Sequence, residues 1–348
     1  MSKILIIGAG AMGSAFAVPC SDNGHEVNVV GTHLEDKLIK ELKETSIHPT
    51  LKTKLSSKIN FNYFNEFKTL INSKVDLIVL GISSKGINWI SEQFINVFEN
   101  RNIPDLLLLT KGLSIYNNKY ELLIDKIKRL IEVKKIKIKN ISAIAGPCLA
   151  AGLANKINSS VVIANSKIDQ ANKISNILNN NYYHTICSDD IIGVEVCAAI
   201  KNIFSMVVGA AKGLGSKEIS IDLKNKIFLN TASALITQSI YEMEIFVEHL
   251  HGKKETVKGL SGLGDLHVSS AGGRNALMGS YLGEGLIFSE AKNSKMREIT
   301  VEGADLIREI GSKVRDEFDE KKLPLMIAMI NAILEDKKLD IKWNYFTY

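Results

Sequence analysis

Apolar positions in this chain come first in short, compact runs and later in long, helically spaced ones. Residues 3–7 form an isoleucine-rich run, and comparable runs recur at 25–30, 75–81, 106–110, 141–145, 160–164 and 184–187. Such runs, bounded by glycine and polar residues, predict strands covered on both faces. Segments between them, such as 11–23, 120–133 and 168–178, carry a helical period. Strands alternating with helices imply an α/β class, with a doubly wound, mostly parallel sheet. After about residue 189 the pattern changes to long helical segments at 190–212, 223–251, 289–297, 301–313 and 325–335, around a glycine-rich stretch at 259–285. Two domains are therefore expected, a nucleotide-type α/β domain over 1–189 and a C-terminal all-α domain over 190–348, with no Pro/Ser/Gly-rich spacer between them.

Composition narrows the picture. Lysine and arginine number 43 against 38 aspartates and glutamates, a formal charge of +5. That mild excess suits a small anionic ligand and gives no basic stripe for nucleic acid. The four cysteines, Cys20, Cys148, Cys187 and Cys197, show neither a CxxC pair nor metal-ligand spacing, so reduced thiols and no metal are expected. The first apolar stretch is too short for a signal peptide or a membrane span, which makes a cytoplasmic protein the expectation.

The clearest chemical signal is Gly8-Ala9-Gly10-Ala11-Met12-Gly13, placed directly after a strand and opening a helix. In that context Gly8 makes the tight turn, Gly10 lets the backbone approach a pyrophosphate, and Gly13 permits close packing. This is the Rossmann-type arrangement, and Gly8, Gly10, Ala11, Met12 and Gly13 are its candidate cofactor contacts. Pro19 falls inside the helix that follows and should kink or tighten it. At the end of the second strand, where an NAD site carries Asp or Glu, the chain has Gly31-Thr32-His33. The missing carboxylate tilts the expectation toward NADP, with Lys37 as a candidate phosphate partner, and the cofactor is NAD or NADP.

A second signal is the run from Gly193 to Val208, apolar on all sides except at Glu195 and Lys201. A helix apolar all round is a buried helix. A lysine there is either paired and used for chemistry or snorkels past its neighbours, and the helix alone leaves both open. Elsewhere, Thr110-Lys111-Gly112 and Gly146-Pro147-Cys148 end strands on the edge where open α/β sheets place ligands. Cys148 has no identifiable histidine partner and is not read as a nucleophile. Finally Gly259-Leu-Ser-Gly-Leu-Gly264-Asp265 and Gly272-Gly273-Arg274-Asn275 bring a carboxylate and a fork of donors suited to a phosphate.

Taken in order, GAGAMG, TKG, AGPCLA, GVEVCAAIKN, GLSGLGDL and GGRNALMG resemble the soluble NAD(P)-dependent sn-glycerol-3-phosphate dehydrogenases. The resemblance spans nearly the whole chain. It implies a Rossmann domain joined to an all-helical one, a homodimer, and reversible reduction of dihydroxyacetone phosphate to sn-glycerol 3-phosphate. It makes Lys201 the general acid/base, with Asn202, Lys111 and Asp265 around the reacting carbon. Arg274 and Asn275 become the phosphate site, with Gly146, Cys148 and Gly273 beside substrate. Thr32, Lys111, Ala150, Arg274 and Glu302 fall where the cofactor is touched. The chain departs from the family at Cys148, where serine is common, at Ala232 in place of a lysine, and at Gln238 in place of an arginine. Alternatives are a related dehydrogenase for another small phosphorylated or acidic hydroxy compound, or a non-catalytic dinucleotide-sensing protein.

Overall fold

The computed structural model describes residues 1–99, 101–214 and 221–347, with side chains for all of these except 221–227. The chain forms two compact units. The first comprises Met1–Lys111 and Leu122–Ile191, the second Gly112–Glu121 and Ile192–Tyr348.

Twelve strands occur among the described residues. They are β1 (Lys3–Ile7), β2 (Glu26–Val30), β3 (Ile47–His48), β4 (Thr53–Lys54), β5 (Ile59–Asn62), β6 (Leu77–Leu80), β7 (Asp105–Leu108), β8 (Leu113–Tyr116), β9 (Lys119–Leu122), β10 (Ile141–Ala145), β11 (Ser159–Ala164) and β12 (Tyr183–Ser188). The first unit is built on an eight-stranded sheet of order β12-β11-β10-β7-β6-β1-β2-β5. Every pairing is parallel except β10 with β11. The inner strands are buried on both faces, as their unbroken apolar sequences require: all four residues of Leu77–Leu80 and four of five in Lys3–Ile7 are buried. The order reverses direction beside β1, so the carboxyl ends of β1 and β6 form the switch point at which such sheets bind ligands.

Several elements lie beyond the sequence pattern. β5 reads Ile-Asn-Phe-Asn, an edge strand whose alternation is too short to register, and the helices Asp36–Thr45 and Ile87–Val97 likewise lie outside the pattern. Residues 120–122 are strand and not the start of a helix, because Asn117 and Asn118 both adopt positive φ (48° and 58°) and close a two-residue hairpin between β8 and β9. That hairpin belongs to the second unit, packing on the Glu302–Glu317 helix. Pro19 stands within the Ala11–Asp22 helix, which continues past it to Asp22.

Among the described residues, the regular structure of the second unit is helical apart from the hairpin. Its centre is the Ile191–Leu214 helix, long and apolar enough to cross a membrane by composition but with 94% of that apolar window buried inside the protein, as in a core helix. The glycine-rich stretch is helical too, forming Asp265–Ala271 and Arg274–Gly283. The second of these lies against the Ile191–Leu214 helix at backbone contact: a Cβ on Gly279 would stand 1.9 Å from the Met206 carbonyl oxygen. Any side chain there would push the helices apart, and with them the residues each presents to the site.

Candidate active site

In the first unit, the turn after β1 is shaped by steric necessity. Gly8 has φ +103°, and a Cβ on it would lie 2.7 Å from the Gly81 carbonyl oxygen beyond β6; a Cβ on Gly13 would lie 2.1 Å from the Gly8 oxygen. Gly10, in contrast, faces open space with only the Glu35 carboxylate within 4 Å. The following helix has no side chain capping it at Gly10. The first-turn amides of Ala11, Met12 and Gly13 therefore have no acceptor within the helix and suit a diphosphate. A dinucleotide fits this cradle.

Two residues outside the sequence motifs brace it. His48, fully buried, accepts at Nδ1 from the amides of Thr50 and Leu51 (3.2 and 3.3 Å), so its Nε2–H donates to the Ala9 carbonyl at 3.1 Å. Glu35 folds back over the end of β2, where Oε2 accepts from the amides of Ala9 (3.1 Å) and Thr32 (2.7 Å). A cavity of about 310 Å³ beside β2 is lined by His33, Asp36, Tyr63, Phe64 and Asn65. The Trp89 ring packs against two of these residues, 4.9 Å from the His33 ring and 5.1 Å from that of Phe64. Lys111 follows Thr110, whose hydroxyl donates to the Ile82 carbonyl at 2.9 Å and so fixes the chain where it leaves the sheet. Gly146 (φ +140°) turns the chain after β10, while Cys148 and Ala150 are half-buried and pack with Ala11 and Met12 against the same core.

In the second unit the lysine of the apolar helix does not snorkel. Lys201 is 7% exposed, and its Nζ donates to Asp265 Oδ1 at 2.8 Å and to Ser269 Oγ at 2.6 Å. Asp265, 3% exposed, opens the Asp265–Ala271 helix, and Ser269 lies one turn on along the same face. Ser269 was invisible to motif reading; its i+4 spacing from Asp265 is the signal it offered. Next to Lys201, Asn202 Oδ1 accepts from Asn275 Nδ2 at 3.1 Å, and Asn275 Oδ1 accepts from the Gly303 amide at 3.0 Å. Both asparagines are buried. This chain ties the lysine's helix to the two elements that carry Arg274 and Glu302, which form a half-exposed ion pair at 2.6 Å. Gly273, with φ +99°, makes the turn into Arg274.

The first unit thus carries a dinucleotide cradle, and the second a buried lysine–carboxylate pair tied by hydrogen bonds to the elements that bear Arg274 and Glu302. Residues 3–171 match the family described as NAD-dependent glycerol-3-phosphate dehydrogenase N-terminus, and residues 190–342 match its C-terminus. The chain belongs to this family. As an NAD(P)-dependent glycerol-3-phosphate dehydrogenase family member it is an oxidoreductase. It is 33% identical over 304 residues to the NADP(+)-dependent glycerol-3-phosphate dehydrogenase of Archaeoglobus fulgidus, covering 87% of this chain and 85% of that one. A glycerol-3-phosphate dehydrogenase [NAD(P)+] of Fusobacterium nucleatum is 27% identical over 347 residues, covering 97% and 94%. In fold the chain is similar to the crystal structure of the Coxiella burnetii glycerol-3-phosphate dehydrogenase, with a TM-score of 0.79, 23% identity, and coverage of 97% and 96%.

Proposed function

We propose that the chain interconverts dihydroxyacetone phosphate and sn-glycerol 3-phosphate with Lys201 as general acid/base. The observation that carries this reading is the Lys201 ammonium, buried and held by Asp265 and Ser269 on a helix whose next residue, Asn202, is bonded to Asn275 beside Arg274. Proton donor and anion anchor are thereby fixed relative to each other.

When bound, the nicotinamide supplies or accepts the hydride at substrate C2. Reduction builds negative charge on the C2 oxygen, and Lys201 Nζ donates the proton that neutralises it. Asp265 pairs with the ammonium and, with Ser269, aims it. In the oxidative direction the neutral amine takes the hydroxyl proton. Asn202 positions Asn275 for the substrate phosphate, which Arg274 meets with its guanidinium. Glu302 occupies one edge of that fork, and five N–H donors leave others for phosphate. Lys111, Gly146, Cys148 and Gly273 complete the substrate contacts in this reading. Gly8, Gly10, Ala11, Met12, Gly13, Thr32 and Ala150 hold the cofactor, which Lys111, Arg274 and Glu302 also touch. The working form is a cytoplasmic homodimer.

The test is oxidation of NADH and NADPH with dihydroxyacetone phosphate beside unphosphorylated dihydroxyacetone, in the wild type and in Arg274→Ala. Loss of charge-assisted hydrogen bonds worth roughly 1.5–3 kcal/mol should lower kcat/KM for the phosphorylated ketone by roughly 10- to 150-fold, mainly through KM, and lower the weak rate with dihydroxyacetone far less. Equal losses on both ketones would remove Arg274 from the phosphate site.

A further inference from the structure

We infer that Glu35 is the acceptor for the adenosine-ribose 2′-hydroxyl and the group that excludes a 2′-phosphate, so that this chain selects NAD over NADP. The inference rests on the dehydrogenase reading above and adds a residue that no glycine motif contains.

Geometry carries it. In doubly wound folds the ribose hydroxyls reach a carboxylate at the carboxyl end of the second strand. The one acid of β2, Glu26, stands at its start and pairs with Lys3, and neither the carboxyl end of the strand nor the four residues after it hold another; yet a carboxylate stands at that place, because Glu35 reaches back from the turn Thr32–Glu35, closed by a 3.0 Å bond between the Glu35 amide and the Thr32 carbonyl. The side chain is fixed, its Oε2 shared by the amides of Ala9 after β1 and Thr32 after β2. Oε1 is left on the Gly10 side, 3.6 Å from the point a Gly10 Cβ would occupy, and so faces the open part of the glycine cradle. A ribose diol brings two O–H donors to such an oxygen. A 2′-phosphate brings up to two negative charges and no donor at neutral pH.

The surroundings add to the discrimination. Asp36, next in the chain, lines the neighbouring cavity with His33, Tyr63, Phe64 and Asn65, a wall holding a carboxylate and neither lysine nor arginine. Lys37, the phosphate partner that the sequence suggested, is an exposed residue of the Asp36–Thr45 helix and does not line that wall. The Archaeoglobus relative is described as NADP(+)-dependent, so the inference also separates this chain from that one.

The experiment measures binding of NADH and NADPH to the full-length protein by nicotinamide fluorescence without substrate, then kcat/KM for each with dihydroxyacetone phosphate. The wild type should favour NADH by about tenfold or more, since like charges set against each other oppose binding and about 1.4 kcal/mol is a factor of ten. Glu35→Gln and Glu35→Ser should each weaken NADH and strengthen NADPH, bringing the ratio within about threefold of unity. Three results overturn the inference: a wild type that prefers NADPH, variants in which both cofactors weaken in parallel at an unchanged ratio, or variants that bind both more tightly. The second would make Glu35 a brace for the loop, the third a plug that the cofactor displaces. If one variant fails to fold, the other variant and the wild-type ratio still decide. Selective NADH binding without turnover of dihydroxyacetone phosphate would leave the inference standing and sink the substrate reading instead.

Discussion

Lys201→Met, set beside the double variant Lys201→Met/Asp265→Asn, separates the catalytic from the structural role of the buried lysine. The change removes the ammonium and keeps most of the aliphatic stem, so the packing of the Ile191–Leu214 helix is largely retained. It leaves the Asp265 carboxylate, 3% exposed, without the cation 2.8 Å away. Removing one partner of a buried pair costs about 3–5 kcal/mol. Loss of a general acid costs roughly 10²- to 10⁴-fold in kcat, about 3–5 kcal/mol of barrier. The two penalties are similar in size, so one variant cannot tell them apart. Lys201→Met/Asp265→Asn can: a neutral amide in place of the carboxylate should restore about 2 kcal/mol or more of stability, while turnover stays at the floor. Thermal midpoints and initial rates, the latter at a temperature where every variant is folded, provide both readouts. A single variant within about threefold of wild-type kcat would refute the proton-donor role. A double variant that regains activity together with stability would show that the lysine only holds the fold.

Two further outcomes follow from packing and burial. Gly13→Ala puts a Cβ 2.1 Å from the Gly8 carbonyl oxygen, so NADH binding should weaken by at least about tenfold with the second unit's pair undisturbed; unchanged binding by fluorescence titration would mean the loop does not hold the cofactor. Burial pushes the Glu242 carboxyl from its ordinary 4.5 up to about 8, against the pull of hydrogen bonds from the Leu325 and Met326 amides and Gln238. Folded Glu242 then keeps a proton that the unfolded chain has lost above about 4.5, so its contribution to stability is full below that pH and disappears progressively by about pH 8; Glu242→Gln should flatten the decline between pH 6 and 8.5, and identical slopes would contradict it.

What the sequence made legible was whatever local chemistry imposes. Unbroken apolar runs placed the inner strands to within about two residues, and an apolar helix interrupted by Lys201 announced a lysine that needs a partner. Residues that act through a distant contact gave no such signal. His48 supports the glycine turn from 39 positions away in sequence, and nothing in Ile47-His48-Pro49 announces that its ring will be buried. Glu35 sits in a run of charged residues outside every motif; only the turn at Thr32 aims its side chain at the end of β2. Ser269 is one serine among many until the helix that carries it is set against Lys201.

The family departures change meaning once placed. Ala232 and Gln238 stand where a lysine and an arginine are usual, which on sequence alone suggested positive charge removed near the substrate or a partner copy. Both are buried inside the helical unit. Gln238 donates to Glu242 Oε1 at 3.2 Å and accepts from the Thr347 amide at 3.1 Å, while Glu242 also takes the first amides of the Pro324–Leu334 helix at 2.8 and 2.9 Å. An arginine at 238 would set a cation against this carboxyl, whereas the glutamine offers only a dipole, so burial is opposed by neutral N–H donors alone. The exchange therefore acts on the proton held by Glu242 and on the fastening of the C-terminal segment, and it leaves the charges that would meet the substrate, Lys201 and Arg274, as the motifs set them.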